Sequence, residues 1–288
     1  MRSKLFVPGT RPELFAKALA GEAEAISFDL EDAVPESGKG AAREHVAAFV
    51  RGELARGSRK LLIVRVNAPD TPHFAADIEA LADAGLDLIN LPKVESPESV
   101  RSAVALIAAA EHAALAETEN RLLLTIETPR GLRDAAAIAA ADARVAGLQL
   151  GLADLFEPYD IARNDAANVH AALFALRIAA AEAGVFAYDA AFADVADAQG
   201  YAAEAAMARR LGFLGKTCIH PRQVALANAA FEPDEAEVAH ARRVVAFAQT
   251  AAGQGQGAFV VDGRMIDRPF LKRAEAIVAA AAARAATP

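Results

Sequence analysis

The sequence predicts one α/β fold, a (β/α)8 TIM barrel followed by a C-terminal helical extension. Three observations point there: eight short apolar runs, each stopped by a turn or polar residue; Ala-rich stretches with helical spacing between them; and charged residues gathered just past the C-terminal ends of the runs. Residues 1–230 are expected to form the barrel and 231–288 the extension, acting as a lid that packs on a neighbouring subunit. A doubly wound open sheet is the alternative. Against it, the first run leads into Val7-Pro8-Gly9-Thr10-Arg11-Pro12, which lacks the glycine spacing that seats a dinucleotide pyrophosphate.

The first strand is read over Lys4–Val7, followed by helical spacing over Arg11–Gly21. The second, Ala25–Leu30, runs into Asp29-Leu30-Glu31-Asp32 and precedes a helix over Gly40–Arg56. Lys60–Val66 is the third, ending in Arg65-Val66-Asn67; Leu86–Leu91 is the fourth, ending at Pro92-Lys93 before a helix over Pro97–Ala116. The fifth, Arg121–Ile126, stops at Glu127, and the sixth, Gly147–Leu152, stops just before Asp154 and a helix over Asn164–Ala183. Val185–Tyr188 ends at Asp189 ahead of a helix over Asp194–Leu211, and the eighth run, Phe213–Cys218, leads to His220. Alanine has the highest helix propensity, and its small side chain lets helices pack closely on a sheet, so the Ala-rich stretches need no functional reading. Lys4, Lys60 and Arg121, at strand N-termini, are read as solvated edges.

Composition narrows the function. With 288 residues, 54% of them hydrophobic, the chain can bury a large core as one domain. A net charge of −8 with scattered Lys and Arg offers no stripe for a nucleic-acid backbone, so no nucleic-acid partner is expected. Cys218 is the only cysteine, which excludes an intrachain disulfide and fits a reducing compartment. The N-terminal apolar stretch is too short for a signal peptide and no run reaches membrane-spanning length, so a cytoplasmic protein with no membrane partner is expected.

Glu127 and Asp154 carry the strongest chemical signal. Two carboxylates at neighbouring strand ends, with water filling the other positions, suit Mg2+, which leaves sites open for a chelating substrate; zinc would want histidine or cysteine. The competing possibility is an ion pair with Arg65 or Lys93 and no metal. Arg65 offers a planar fork for a carboxylate, so facing a metal it would hold a small acid together with Glu127; its alternative is a rim salt bridge to Asp29 or Glu31. A cation chelated by a 2-keto acid stabilises charge on the keto oxygen when an adjacent C–C bond is made or broken, which is aldol or Claisen chemistry. Glu31 and Asp32 share that rim as acid–base candidates. For Asp32 and Asp189 the structural alternative is a helix cap or surface ion pair.

Arg2-Ser3-Lys4-Leu5-Phe6-Val7-Pro8-Gly9, Phe28-Asp29-Leu30-Glu31-Asp32-Ala33-Val34, Arg65-Val66-Asn67, Leu91-Pro92-Lys93-Val94-Glu95, Ile126-Glu127-Thr128-Pro129-Arg130-Gly131, Gly151-Leu152-Ala153-Asp154 and Gly215-Lys216-Thr217-Cys218-Ile219-His220-Pro221 occur in this order over nearly the whole chain. Together they resemble the citrate lyase β-subunit-like branch of the HpcH/HpaI aldolase superfamily. The resemblance implies a TIM barrel that binds Mg2+ through Glu127 and Asp154 and a substrate carboxylate through Arg65. It implies cleavage or formation of 3-hydroxyacyl-CoA thioesters such as citryl-, malyl- or citramalyl-CoA, with oxaloacetate, glyoxylate or pyruvate as the 2-keto acid. The stretch Phe259–Asp267 is similar to one in related acyl-CoA lyases in which an aspartate matching Asp267 reaches a neighbouring subunit's site as acid/base; it implies a homo-oligomer, a trimer or hexamer. The alternative is that Asp267 caps the last helix ahead of Pro269. Lys39 and Arg43, four apart on a helix, are the candidate coenzyme A phosphate contacts, with a solvated helix face as the competing and favoured reading. Three further hypotheses stay open: a metal aldolase on free 2-keto acids, a β subunit dependent on an acyl carrier, and a barrel that senses ligands without catalysis.

Overall fold

The computed structural model describes residues 1–253 and 257–285, which divide into two compact units, Met1–Phe231 and Glu232–Pro288. In the first unit eight parallel strands, β1 (Ser3–Pro8), β2 (Ala25–Asp29), β3 (Leu61–Arg65), β4 (Leu88–Leu91), β5 (Arg121–Ile126), β6 (Val145–Leu150), β7 (Phe186–Tyr188) and β8 (Lys216–Cys218), lie in the order β7-β6-β5-β4-β3-β2-β1-β8. A parallel bridge between Asp189 and Lys216 joins the two ends, so the sheet closes on itself. Each parallel neighbour is reached through a crossover carrying helix, the connection parallel pairing requires.

The helices start where the sequence supplies a cap. Ser96 Oγ accepts from Ser99 N ahead of Pro97–Ala113, and Thr128 Oγ1 accepts from Gly131 N ahead of Pro129–Arg133. Asp165 caps Ala166–Glu182, Asp197 caps Ala198–Leu211, and His220 Nδ1 accepts from Arg222 N at the start of Pro221–Ala230. In three of these, proline stands in the first turn, where its missing N–H costs nothing. The main core lies between strands and helices, and includes Phe15, Phe28 and Phe49 in edge-to-face contacts at 4.9, 5.2 and 5.5 Å. Inside the barrel, Ala25, Ile63, Leu88 and Leu123 form a separate apolar layer at the strand N-terminal side. Gly147 leaves room there for the Phe186 ring, which a Cβ would meet at 2.3 Å.

Several expected boundaries shift for local reasons. The helix expected over Gly40–Arg56 breaks at Gly52, which is extended, giving Lys39–Arg51 and Glu53–Arg56. The Arg11–Gly21 stretch opens with a 3-10 turn, Pro12–Leu14, before the α-helix Phe15–Ala20. The sixth strand lies two residues earlier than expected because Leu150 pairs with Ile126, and Asp154 falls in the first turn of the helix Leu152–Phe156. Lys4 is not a solvated edge: it is fully buried inside the barrel. Lys60 also turns inward, Nζ donating to the carbonyl of Gly21 at 2.6 Å and to that of Ala23.

The second unit is not purely helical. Between the helices Glu235–Gly253 and Arg268–Ala285 it holds an antiparallel hairpin, β9 (Phe259–Val261) and β10 (Arg264–Ile266). Asp262 and Gly263 both have positive φ, 50° and 76°, the geometry of a two-residue hairpin turn that Asp-Gly favours. Ala241, Val244, Val261, Ile266 and Ala274 form this unit's own core. Among the described residues, no helix is long and apolar enough to cross a membrane.

Candidate active site

A cavity of about 540 Å³ opens at the C-terminal ends of the strands, lined among others by Phe6, Asp29, Arg65, Glu127, Gln149 and Asp154. Phe6, Asp29, Arg65, Glu127 and Gln149 are delivered by strand parity, side chains alternating in and out so that Lys4 and Phe6, Ser27 and Asp29, Thr125 and Glu127 share an inward face, whereas Asp154 comes from the first turn of the helix Leu152–Phe156. A second cavity of similar size, about 530 Å³, lies against the helices Phe15–Ala20 and Pro221–Ala230, but among its lining residues Glu22 is the one acid. The chemistry belongs to the first.

Glu127 is a buried acid of the site, 2% exposed. Its Oε1 accepts from the backbone N of Lys93 at 2.7 Å. Lys93 has φ of 53°, the left-handed region that a lysine seldom adopts, so the N–H that grips Glu127 is held at a cost in backbone energy. Gly151 supplies the floor: a Cβ there would lie 2.5 Å from Glu127 Oε2 and 2.6 Å from Glu127 Cβ. Burial, then the charges of Glu31 and Asp154, push the Glu127 carboxyl up to about 8 despite the Lys93 N–H and Arg65. Asp154 is exposed at the mouth of the cavity. Among the described residues no three His, Cys, Asp or Glu side chains form a ready cage for a metal, and no ion pair reaches Glu127. Two carboxylates without a cationic partner among the described residues, one of them pushed up chiefly by burial and then by neighbouring negative charge, fit a hard divalent ion that keeps most of its water.

Arg65 is held in a fixed plane. Its Nε and Nη2 donate to the two oxygens of buried Asp29 at 2.8 and 2.7 Å, and Nη1 lies 2.9 Å from Glu31 and 3.3 Å from Asp32. Phe6 lies 4.9 Å beneath the guanidinium. The rim salt bridge to Asp29 and Glu31 is therefore present, and it leaves the Nη1 side as the part of the fork facing other acids. Glu31 also lies 2.7 Å from Lys93 Nζ, which reaches Asp32 at 3.4 Å. Burial raises the Glu31 carboxyl despite the pull of Arg65 and Lys93, whereas for half-exposed Asp32 those cations outweigh burial and lower it.

Other candidate residues have structural partners. Lys39 is buried and donates to the carbonyls of Leu30 and Glu31 at 2.8 and 2.7 Å, and Arg43 Nε pairs with fully buried Asp77 at 2.7 Å. The solvated face read for them is corrected: both tie the loop after β2 and its helix to the barrel, because the Lys39–Arg51 helix packs with Ala42 and Val46 inward and carries their stems with it. Asp189 is neither cap nor surface pair; it meets Lys216 Nζ at 2.7 Å in full burial, and Glu204, itself gripped by Arg163, meets the same ammonium at 2.7 Å. Lys216 is thereby committed to a buried ion-pair network with Asp189 and Glu204. Burial pushes the Cys218 thiol up to about 11, so it is no nucleophile. Asp267 precedes the helix Arg268–Ala285; its carbonyl accepts from Leu271 N at 2.9 Å, while its Oδ1 is buried without a hydrogen-bond partner among the described residues. Gln149 and Lys4 were not anticipated as site residues, although their inward parity with Gly151 and Phe6 was readable.

The sequence profile of the HpcH/HpaI aldolase/citrate lyase family matches residues 2–221. An L-malyl-CoA/beta-methylmalyl-CoA lyase of Cereibacter sphaeroides is 35% identical over 298 aligned residues, covering 96% of this chain and 93% of the relative. The citrate lyase subunit beta of Escherichia coli is 36% identical, covering 97% of this chain and 93% of its own length. A crystal structure of CitE from Mycobacterium tuberculosis in complex with magnesium, acetoacetate and coenzyme A aligns with a TM-score of 0.74 at 34% identity, covering 97% of this chain and 98% of that one.

Proposed function

The chain belongs to the HpcH/HpaI aldolase/citrate lyase family, and from that premise we propose that it is a Mg2+-dependent carbon–carbon lyase. It cleaves or forms a 3-hydroxyacyl-CoA thioester of the citryl-, malyl- or citramalyl-CoA kind, releasing or consuming a 2-keto acid such as oxaloacetate, glyoxylate or pyruvate. The observation that carries this reading is the acidic pair Glu127 and Asp154 facing a guanidinium across one cavity at the catalytic end of the barrel.

Glu127 and Asp154 would hold the metal, which when bound would supply a Lewis acid for the keto oxygen, offsetting the alkoxide charge that develops as the C–C bond forms and that precedes its breaking in cleavage. Arg65, its plane set by Asp29, binds the carboxylate of the keto acid with the donors that Asp29 leaves over, displacing Glu31 and Asp32 from Nη1. Glu31, raised by burial and flanked by Lys93, is placed to accept a proton near that carboxylate, with Asp32 beside it. Asp267 of a neighbouring copy supplies the acid/base that protonates the acetyl-CoA enolate carbon, which makes the active form a homo-oligomer, a trimer or hexamer; its unpartnered Oδ1 is the support for that role. Coenzyme A phosphates meet Lys39 and Arg43 only if those side chains leave their present acceptors. The lone buried thiol of Cys218 suits a reducing, cytoplasmic setting.

A panel of citryl-, malyl- and citramalyl-CoA, with and without Mg2+ and followed by 2-keto acid release, tests the reading. Turnover is expected with Mg2+ alone present, and Glu127→Gln and Asp154→Asn should abolish it while leaving the unfolding transition intact. Similarity to a citrate lyase subunit beta favours a second reading, a carrier-dependent subunit. Metal binding without turnover of any free thioester would select it.

A further inference from the structure

We infer that Lys4 and Gln149 act as a pair beneath the cavity: the buried ammonium locks the Gln149 amide so that its N–H donors face the substrate and bind an oxygen of the 2-keto acid. Lys4 is a positioning residue and Gln149 the binding one. This rests on the keto-acid reading of the cavity and names a contact within it.

Lys4 lies on β1 and is 0% exposed; Gln149 lies on β6 and is 5% exposed. Lys4 Nζ donates to Gln149 Oε1, the one hydrogen-bond acceptor it has among the described residues, and otherwise meets ring faces, Phe6 at 4.6 Å and Tyr188 at 5.4 Å. Burial drives the ammonium well below its ordinary range. A buried cation with so few partners is costly where an apolar side chain of similar length would pack without penalty.

The chemistry of lysine fixes the amide. A lysine amine offers N–H donors, and Gln149 turns its oxygen toward them, Lys4 Nζ donating to Gln149 Oε1. The Gln149 amino group is then directed away from Lys4, and among the described residues it donates to no protein acceptor. Gln149 lines the same cavity as Arg65, Glu127 and Asp154. Among the described residues no hydrogen bond joins it to the neighbouring polar pair, in which Thr125 Oγ1 donates to Asn90 Oδ1 at 2.8 Å. A neutral donor held by a buried neighbour is suited to an oxygen on which charge develops, since it is already oriented before the reaction.

The test uses the full chain with saturating Mg2+ and titrates glyoxylate, pyruvate and oxaloacetate calorimetrically. Gln149→Glu keeps the shape and the Lys4 contact but turns the cavity-facing donor into an acceptor. It should weaken binding of the preferred acid at least tenfold, without weakening Mg2+ binding or lowering the unfolding temperature. Lys4→Met should weaken acid binding to a similar extent with Mg2+ affinity retained, and the double variant should bind no more weakly than Gln149→Glu alone. Wild-type acid affinity in Gln149→Glu overturns the inference, as does a Lys4→Met protein that loses thermal stability alone. If the wild-type protein with bound Mg2+ takes up none of the three acids, the keto-acid reading falls and this contact with it. Should Lys4→Met fail to fold, Gln149→Glu decides.

Discussion

Replacing Gly151 with alanine probes the geometry of Glu127 without touching its chemistry. Gly151 has φ of −108° and ψ of 89°, a conformation open to any residue, so the backbone carries no penalty for alanine. The added Cβ would lie 2.6 Å from Glu127 Cβ and 2.5 Å from Oε2, whereas ordinary contact begins at 3.4 Å. The Cβ of Glu127 is anchored to β5 and cannot swing away as a chain end would. The pair must therefore separate by about 0.8 Å (3.4 − 2.6), and a displacement approaching 1 Å costs on the order of 10²-fold in rate, about 2.7 kcal/mol of transition-state stabilisation. Gly151→Ala should lower kcat/KM by that order and weaken Mg2+ at least tenfold, while overpacking costs roughly 1–3 kcal/mol of stability. Gly40→Ala, on an exposed helical position with nothing within 4 Å of the added Cβ, is the control and should leave both unchanged. Steady-state kinetics and Mg2+ calorimetry on the two variants settle the matter. Wild-type values within twofold for Gly151→Ala would show that the Glu127 carboxylate does not work from the position seen.

Because burial, Glu31 and Asp154 push the metal-free Glu127 carboxyl up to about 8, proton and Mg2+ compete for it below that pH and not above. Mg2+ affinity should fall roughly tenfold per unit as pH drops below about 8 and level off above it, with proton release on binding at neutral pH; a flat profile from pH 6 to 9 in calorimetry would contradict this. Lys216→Met removes the cation shared by buried Asp189 and Glu204 and should destabilise the fold by about 3–5 kcal/mol in urea unfolding, against which a loss below about 1 kcal/mol would mean the pair carries little of the barrel's closure.

The fold was readable because its signals are repetitive. Most of the apolar runs are bounded by a proline, glycine or acid, and helical spacing or a cap such as Ser96, Thr128 or Asp197 marks the segments between them. What went unread was local and chemical. Asp262-Gly263 is a hairpin signal standing between apolar pairs, yet its strands are three residues each, too short for alternation to register against the helices on either side. The site divides the same way: residue type located Glu127, Asp154 and Arg65 at one rim, but left open whether Arg65 faces a substrate or pairs with Asp29 or Glu31, which depends on the β2–β3 register that pairs Asp29 with Arg65 directly.

Lys4 shows why charge alone misleads at a strand start. Its position near the beginning of β1 suggested a solvated edge, but parity places it on the face that Phe6 and Pro8 present to the cavity. Applied to every strand, the same alternation puts Lys4, Ser27, Asn90, Thr125 and Gln149 together inside the barrel, all nearly or fully buried, above the aliphatic layer of Ile63, Leu88 and Leu123. A barrel built for stability alone would fill that level with branched aliphatics. Here Ser27 Oγ and Asn90 Nδ2 are buried with no partner among the described residues, a cost that ordered water can offset in a polar layer of this kind. Ser27 and Thr125 stand one inward position before Asp29 and Glu127, and Asn90 pairs in register with Arg65, so the interior gives up packing next to the residues that orient donors toward the cavity and keeps it toward the strand N-termini.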